Sequence, residues 1–169
     1  MNDTSEQIFV SDDVLVLMRN AARLAGELRE PFITLRTLLL ALLEEPAIGA
    51  VLAPVVDRTA LENYQVPEDA VTRMVASRVP EPTMGSGEKA ALLRFNTLAF
   101  KVPDGSRSVW LSREAHSAWH EAARRVDEGE HFFPKHVALG IAADAVRTPG
   151  ILTQLGISPG DVTYALRSV

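Results

Sequence analysis

The chain has 169 residues, a formal net charge of −5 and 47% hydrophobic residues. This is a globular composition without the basic balance that nucleic-acid binding draws on. With no cysteine, disulfides, thiolate metal sites and thiol nucleophiles are excluded.

The opening MNDTSEQIFVSDD has neither the basic nor the apolar segment of a secretory signal, so the cytoplasm is the expected location. From Ser11 the spacing predicts a helix to Ala25. Ser11 stands at the N-cap with Asp12 and Asp13 in the first turn, and Val14, Leu17, Met18, Ala21 and Ala25 form one apolar stripe. A polar loop, GELREP, leads to ITLRTLLLALLEE, from Ile33 to Glu45. Arg36 interrupts that run and Glu44, Glu45 and Pro46 end it, well short of the roughly 20 residues a membrane span needs. Apolar nearly all round, it is expected to be a buried helix. A Gly-containing break at Gly49 and a third short helix are predicted next, followed by a fourth from Pro67 to Val79.

Pro80 to Glu88 reads as a linker. Beyond it, β-prone runs flank Pro103-Asp104-Gly105, predicting a hairpin with strands near Asn96 to Val102 and Ser106 to Trp110. The opening pattern then returns. Ser112 to Val126 repeats Ser11 to Ala25 at an offset of 101 residues, with Ala115, Ala118, Trp119, Ala122 and Val126 on the stripe. After the loop DEGEH comes FFPKHVALGIAADA, from Phe132 to Ala145; Gly150 then opens a short helix, and a last one is predicted over Pro159 to Val169. The expected fold is all-α: two tandem pseudo-twofold four-helix repeats, 9–79 and 110–169, separated by a linker and hairpin insert, 80–109.

The tandem helices, the Ser caps, and the matching LRTLLLALL (Leu35 to Leu43) and PKHVALGIA (Pro134 to Ala142) resemble the N-terminal domain of Clp/Hsp100 unfoldases. His136 keeps that family's histidine, and Thr37 stands in its place in the first copy. No G-x-x-x-x-G-K-[ST] phosphate loop is present, and GSGEK at Gly85 to Lys89 lacks its spacing. The resemblance implies a stand-alone, non-enzymatic protein- or peptide-binding module without a cofactor. It would be an accessory, adaptor-like or ligand-capturing protein of the Clp protease and chaperone system. Its implied partners are a Clp ATPase, a protease subunit, an adaptor or a substrate peptide, and neither nucleic acid nor membrane.

In family members that recognise phosphorylated arginine, an acidic residue meets the guanidinium and a helix-opening threonine helps hold the phosphate. Arg36 and Lys135 align with those acidic positions, and a cation cannot accept a guanidinium's hydrogen bonds. Phosphoarginine recognition is therefore expected to be lost or altered. Ser11, Arg36, Ser112 and Lys135 become candidates for an anionic ligand, with solvated loop charges as the other reading of the two cations. A small-molecule or anion sensor binding between the repeats is the alternative function. Phe9, Val10, Trp110 and Leu111 precede the two opening helices. They are read either as peptide anchors at the seam between repeats or as apolar staples of their helix starts.

No residues are assigned to catalysis or to a metal. HEAAR, from His120 to Arg124, puts arginine where a zinc protease motif needs its second histidine. His116 and His120 are spaced i, i+4 and could share a metal, but read more simply as boundary residues. No G-x-S-x-G elbow occurs, and Glu27, Glu30, Glu44 and Glu45 read as solvated helix-end carboxylates.

Overall fold

In the computed structural model, residues 7–66, 91–93, 100–101 and 108–169 are described. Their structure is mostly helical. Helix α1, Asp12–Glu27, starts where the Ser11 hydroxyl accepts a hydrogen bond from the Val14 N–H, and it buries Val14, Leu17, Met18, Ala21 and Ala25, the stripe its spacing predicts. Helix α2, Leu35–Glu44, is the leucine-rich segment. Leu38, Leu39, Leu40 and Leu42 are each at most 1% exposed, so it is a core helix. Nearly complete burial of such side chains contributes about 1.5–3 kcal/mol each.

Helix α3, Pro46–Leu52, begins earlier than expected because Glu45 caps it, accepting from the Ile48 N–H at 2.7 Å. Gly49 therefore sits inside the helix and is not a break. A Cβ there would run into the Leu43 carbonyl, so glycine lets α3 fold back tightly on α2. Helix α4, Arg58–Asn63, capped by Asp57, was not anticipated. The helix expected over Pro67 to Val79, the linker, and the turn Pro103-Asp104-Gly105 lie outside the described residues.

The second half runs through α5, Arg113–Arg124, α6, Pro134–Arg147, α7, Ile151–Gln154, and α8, Pro159–Leu166. Ser112 caps α5 by accepting from the Ala115 N–H, as Ser11 does for α1. Helices α5 and α6 pack on each other, α6 also meets α2 and α8, and α3 touches α8. The buried residues of both halves form one core.

Short strands tie the halves together. β1, Gln7–Phe9, pairs antiparallel with β3, Ala91–Leu93. β4, Phe100–Lys101, pairs antiparallel with β5, Ser108–Leu111, placing Phe100 opposite Val109; β4 lies within the first predicted hairpin run, and β5 starts inside the second and continues one residue past it, to Leu111. β2, Phe32–Ile33, runs parallel to β5, pairing Phe32 with Trp110 and Ile33 with Leu111. Val10 bridges to Phe132 in the same parallel sense. The Ser11 N–H donates to the Phe132 carbonyl at 3.0 Å, and the Ser112 N–H donates to the Ile33 carbonyl at 2.9 Å. Each capping serine is thus anchored to the segment that leads into the other half's apolar helix. No described helix is long and apolar enough to cross a membrane.

Candidate functional site

Two of the positions singled out by the sequence, Arg36 and Lys135, lie in the first turns of α2 and α6. At α2, the Thr34 N–H donates to the Thr37 hydroxyl at 2.9 Å, and the Thr34 hydroxyl in turn caps the helix by accepting from the Thr37 N–H. The Thr34 hydroxyl also donates to Glu30 Oε2 at 2.7 Å. Glu30 is only 7% exposed, and its other oxygen accepts from Arg36 Nε at 2.7 Å. Arg36 further donates to the Glu62 carbonyl at 3.3 Å and to the Tyr64 carbonyl. Glu30 is therefore not a solvated carboxylate, and Arg36 is not a loop charge. Its guanidinium is committed to internal partners on three sides, which leaves it poorly placed to take an external anion.

At α6 the arrangement is looser. Phe133 offers no capping oxygen, but its N–H donates to His136 Nδ1 at 2.9 Å, so His136 fills the role that Thr37 fills in α2. His136 Nε2 lies 3.4 Å from Glu130 Oε2, and Lys135 Nζ lies 3.5 Å from Glu130 Oε1. Burial pushes the His136 imidazole below its ordinary pKa, opposed by Glu130 and assisted by Lys135. The Glu130 carboxylate is held low, chiefly by the Asp127 N–H it accepts from, with His136 and Lys135 adding to the effect.

Beside Lys135 opens a cleft of about 180 Å³, lined by Asp13 of α1, Glu45, Ala47 and Ile48 at the start of α3, Phe133, Pro134 and Lys135, and Val169. Its lining is largely apolar, and Asp13, Glu45 and Lys135 add both signs of charge. Small-molecule pockets usually run roughly 300–1,000 Å³, so this space suits one inserted side chain better than a whole ligand.

The other expected residues fall elsewhere. Val10 and Leu111 are 6% and 3% exposed, which makes them core rather than accessible anchors; the burial follows from their pairing with Phe132 and Ile33. Phe9 and Trp110 lie on β1 and β5. The Ser11 and Ser112 hydroxyls are both engaged by their own helices, and Ser112 is 1% exposed. The four expected anion-site residues thus do not gather around one space; Lys135 alone among them lines the cleft. The sequence reading missed Asp13, Glu45, Ala47, Ile48, Phe133, Pro134 and Val169 as cleft residues. The one local signal was Glu45-Pro46, a helix start that turns the first residues of α3 toward α6.

No family model matches this chain. No curated protein matches it either.

Proposed function

We propose that the protein is a non-enzymatic protein- or peptide-binding module of the Clp N-terminal kind. It consists of two pseudo-twofold helical repeats and serves as an accessory, adaptor-like or ligand-capturing protein for the Clp protease and chaperone machinery in the cytoplasm. The tandem sequence pattern motivates this reading, and the reciprocal hydrogen bonds from Ser11 to Phe132 and from Ser112 to Ile33 support it. The observation that carries the binding role is the cleft at Phe133 and Lys135, to whose lining both halves contribute. A largely apolar space of side-chain size, lined also by two carboxylates and an ammonium, suits a peptide anchored by a single residue. The alternative, an anion sensor, draws on Lys135 in the cleft lining but gains little from Arg36, most of whose donors are already taken.

Ala47 is an exposed cleft residue, so Ala47→Trp fills the space without disturbing the core. In a quantitative pull-down from the native host, the tagged wild type is expected to enrich a Clp ATPase, protease subunit or adaptor, and Ala47→Trp to lose it. Enrichment that survives the substitution would remove the cleft from the account. Absence of every Clp component would remove the Clp assignment.

A further inference from the structure

We propose that His116 and His120 form a binding site for one late first-row divalent metal ion, taking copper(II) most tightly. The site lies on α5, away from the cleft, and the proposal does not rest on the peptide-binding reading. Residues four apart on a helix share a face, and here the match is closer than shared direction alone: the two Nε2 atoms stand 3.2 Å apart, with ring centroids at 4.5 Å and planes inclined by 66°. Imidazole nitrogens bind such metals at about 2.0–2.1 Å. Two of them 3.2 Å apart subtend about 100° at a shared ion, between the right angle of cis square-planar ligands and the tetrahedral angle. The pair can therefore close on a metal with little movement of either side chain.

The protonation states agree with the geometry. Burial, followed by the neighbouring histidine, holds His116 below its ordinary pKa. Burial, followed by Arg124, does the same for His120, against a smaller opposing influence of Glu121. Both influences favour the neutral ring, the form that ligates. In the metal-free pair one Nε2–H donates to the other Nε2. On binding, that ring shifts its proton to Nδ1, so each Nε2 offers a lone pair and no net proton is released. The nearest competing charges are already matched: Arg124 pairs with Glu121 at 3.3 Å, and Glu121 also takes Arg125 and Arg147.

Among the described residues no group of three or more His, Cys, Asp or Glu side chains converges to hold a metal. The remaining coordination positions on a two-histidine site would therefore go to water or to an incoming ligand, giving an exchangeable site and not a structural one. Imidazole suits copper, nickel and zinc, and affinity for a given site peaks at copper(II).

The test is titration of the tag-free protein with copper(II) chloride at pH 7.5 in a non-chelating buffer, read by calorimetry and by electron paramagnetic resonance. One ion per chain is expected, with two equatorial imidazole nitrogens in the spectrum. His116→Ala and His120→Ala should each weaken binding at least tenfold and remove one nitrogen, whereas His131→Ala, off this helix, should bind like wild type. Melting curves without metal confirm that each variant folds; His116→Gln and His120→Gln replace any alanine variant that does not. Wild-type affinity in either single variant, or a spectrum with fewer than two imidazole nitrogens in the wild type, would overturn the proposal.

Discussion

Replacing Gly140 by alanine and replacing Gly26 by alanine are the same chemical change, and the structure predicts opposite signs for them. Gly140 lies on α6 where it crosses α5. A Cβ there would sit 2.5 Å from the Ala118 carbonyl oxygen, 2.5 Å from the Ala122 nitrogen and 2.6 Å from the Ala122 Cβ. Two of those three atoms are backbone, so no rotamer change relieves the clash and the helices must separate. Overpacking of this kind costs about 1–3 kcal/mol, occasionally more, while removing a helical glycine returns about 0.5–1 kcal/mol. A clash against fixed backbone belongs at the upper end, so a net loss of about 2 kcal/mol is expected. Gly26, on α1, has nothing within 4 Å of such a Cβ, so Gly26→Ala should gain about 0.5–1 kcal/mol. At about 2–4 °C per kcal/mol for a protein of this size, Gly140→Ala should melt about 4–8 °C lower and Gly26→Ala a few degrees higher. Urea unfolding followed by far-ultraviolet circular dichroism measures both. A Gly140→Ala protein as stable as wild type would refute the close crossing of α5 and α6.

Glu30→Gln leaves the partly buried Arg36 guanidinium without its carboxylate; breaking a buried pair costs about 3–5 kcal/mol, and the carbonyls of Glu62 and Tyr64 should hold the loss to about 3 kcal/mol. A double-mutant cycle with Arg36→Met checks this, and a loss below about 1 kcal/mol for Glu30→Gln would mean that the pair is not formed. His136 has its folded pKa depressed by burial, so its contribution is present above its unfolded pKa of about 6.5 and is lost as pH falls through the folded value. Stability should therefore fall between pH 7.5 and 5.5, with His136→Gln showing a shallower slope; equal slopes would contradict the neutral, N–H-accepting imidazole. Ala47→Trp, designed to fill the cleft, should unfold within about 0.5 kcal/mol of wild type, as surface changes usually do, and a larger loss would show that the cleft is not open.

Features set by local chemistry were legible in the sequence. The Ser11 and Ser112 caps depend on residues three positions away, and α2 had no polar face to place toward water, so its burial followed directly. The Arg58–Asn63 helix was missed because six residues carry too little periodicity to stand out. Gly49 was read as a break because glycine serves both to end helices and to permit close approach, and only the position of the Leu43 carbonyl decides between them. For Val10 and Leu111 the sequence leaves peptide anchor and helix staple both open, and only strand pairing with residues far along the chain, Phe132 and Ile33, accounts for their burial. The commitment of Arg36 depends on the loop that brings Glu30 back beside it, six residues away, and on the fold that places the Tyr64 carbonyl there. The cleft depends on long-range folding, since its lining comes from residues more than 80 positions apart, such as Ile48 and Phe133.

The central claim is that the cleft between Ile48 and Phe133 receives a side chain from a protein of the Clp system. The most direct measurement is the affinity of the purified protein for Clp ATPase and protease components, compared between wild type and Ala47→Trp at equal folded fraction. The account predicts saturable binding by wild type and at least a tenfold weakening by the tryptophan. Equal affinities would contradict it.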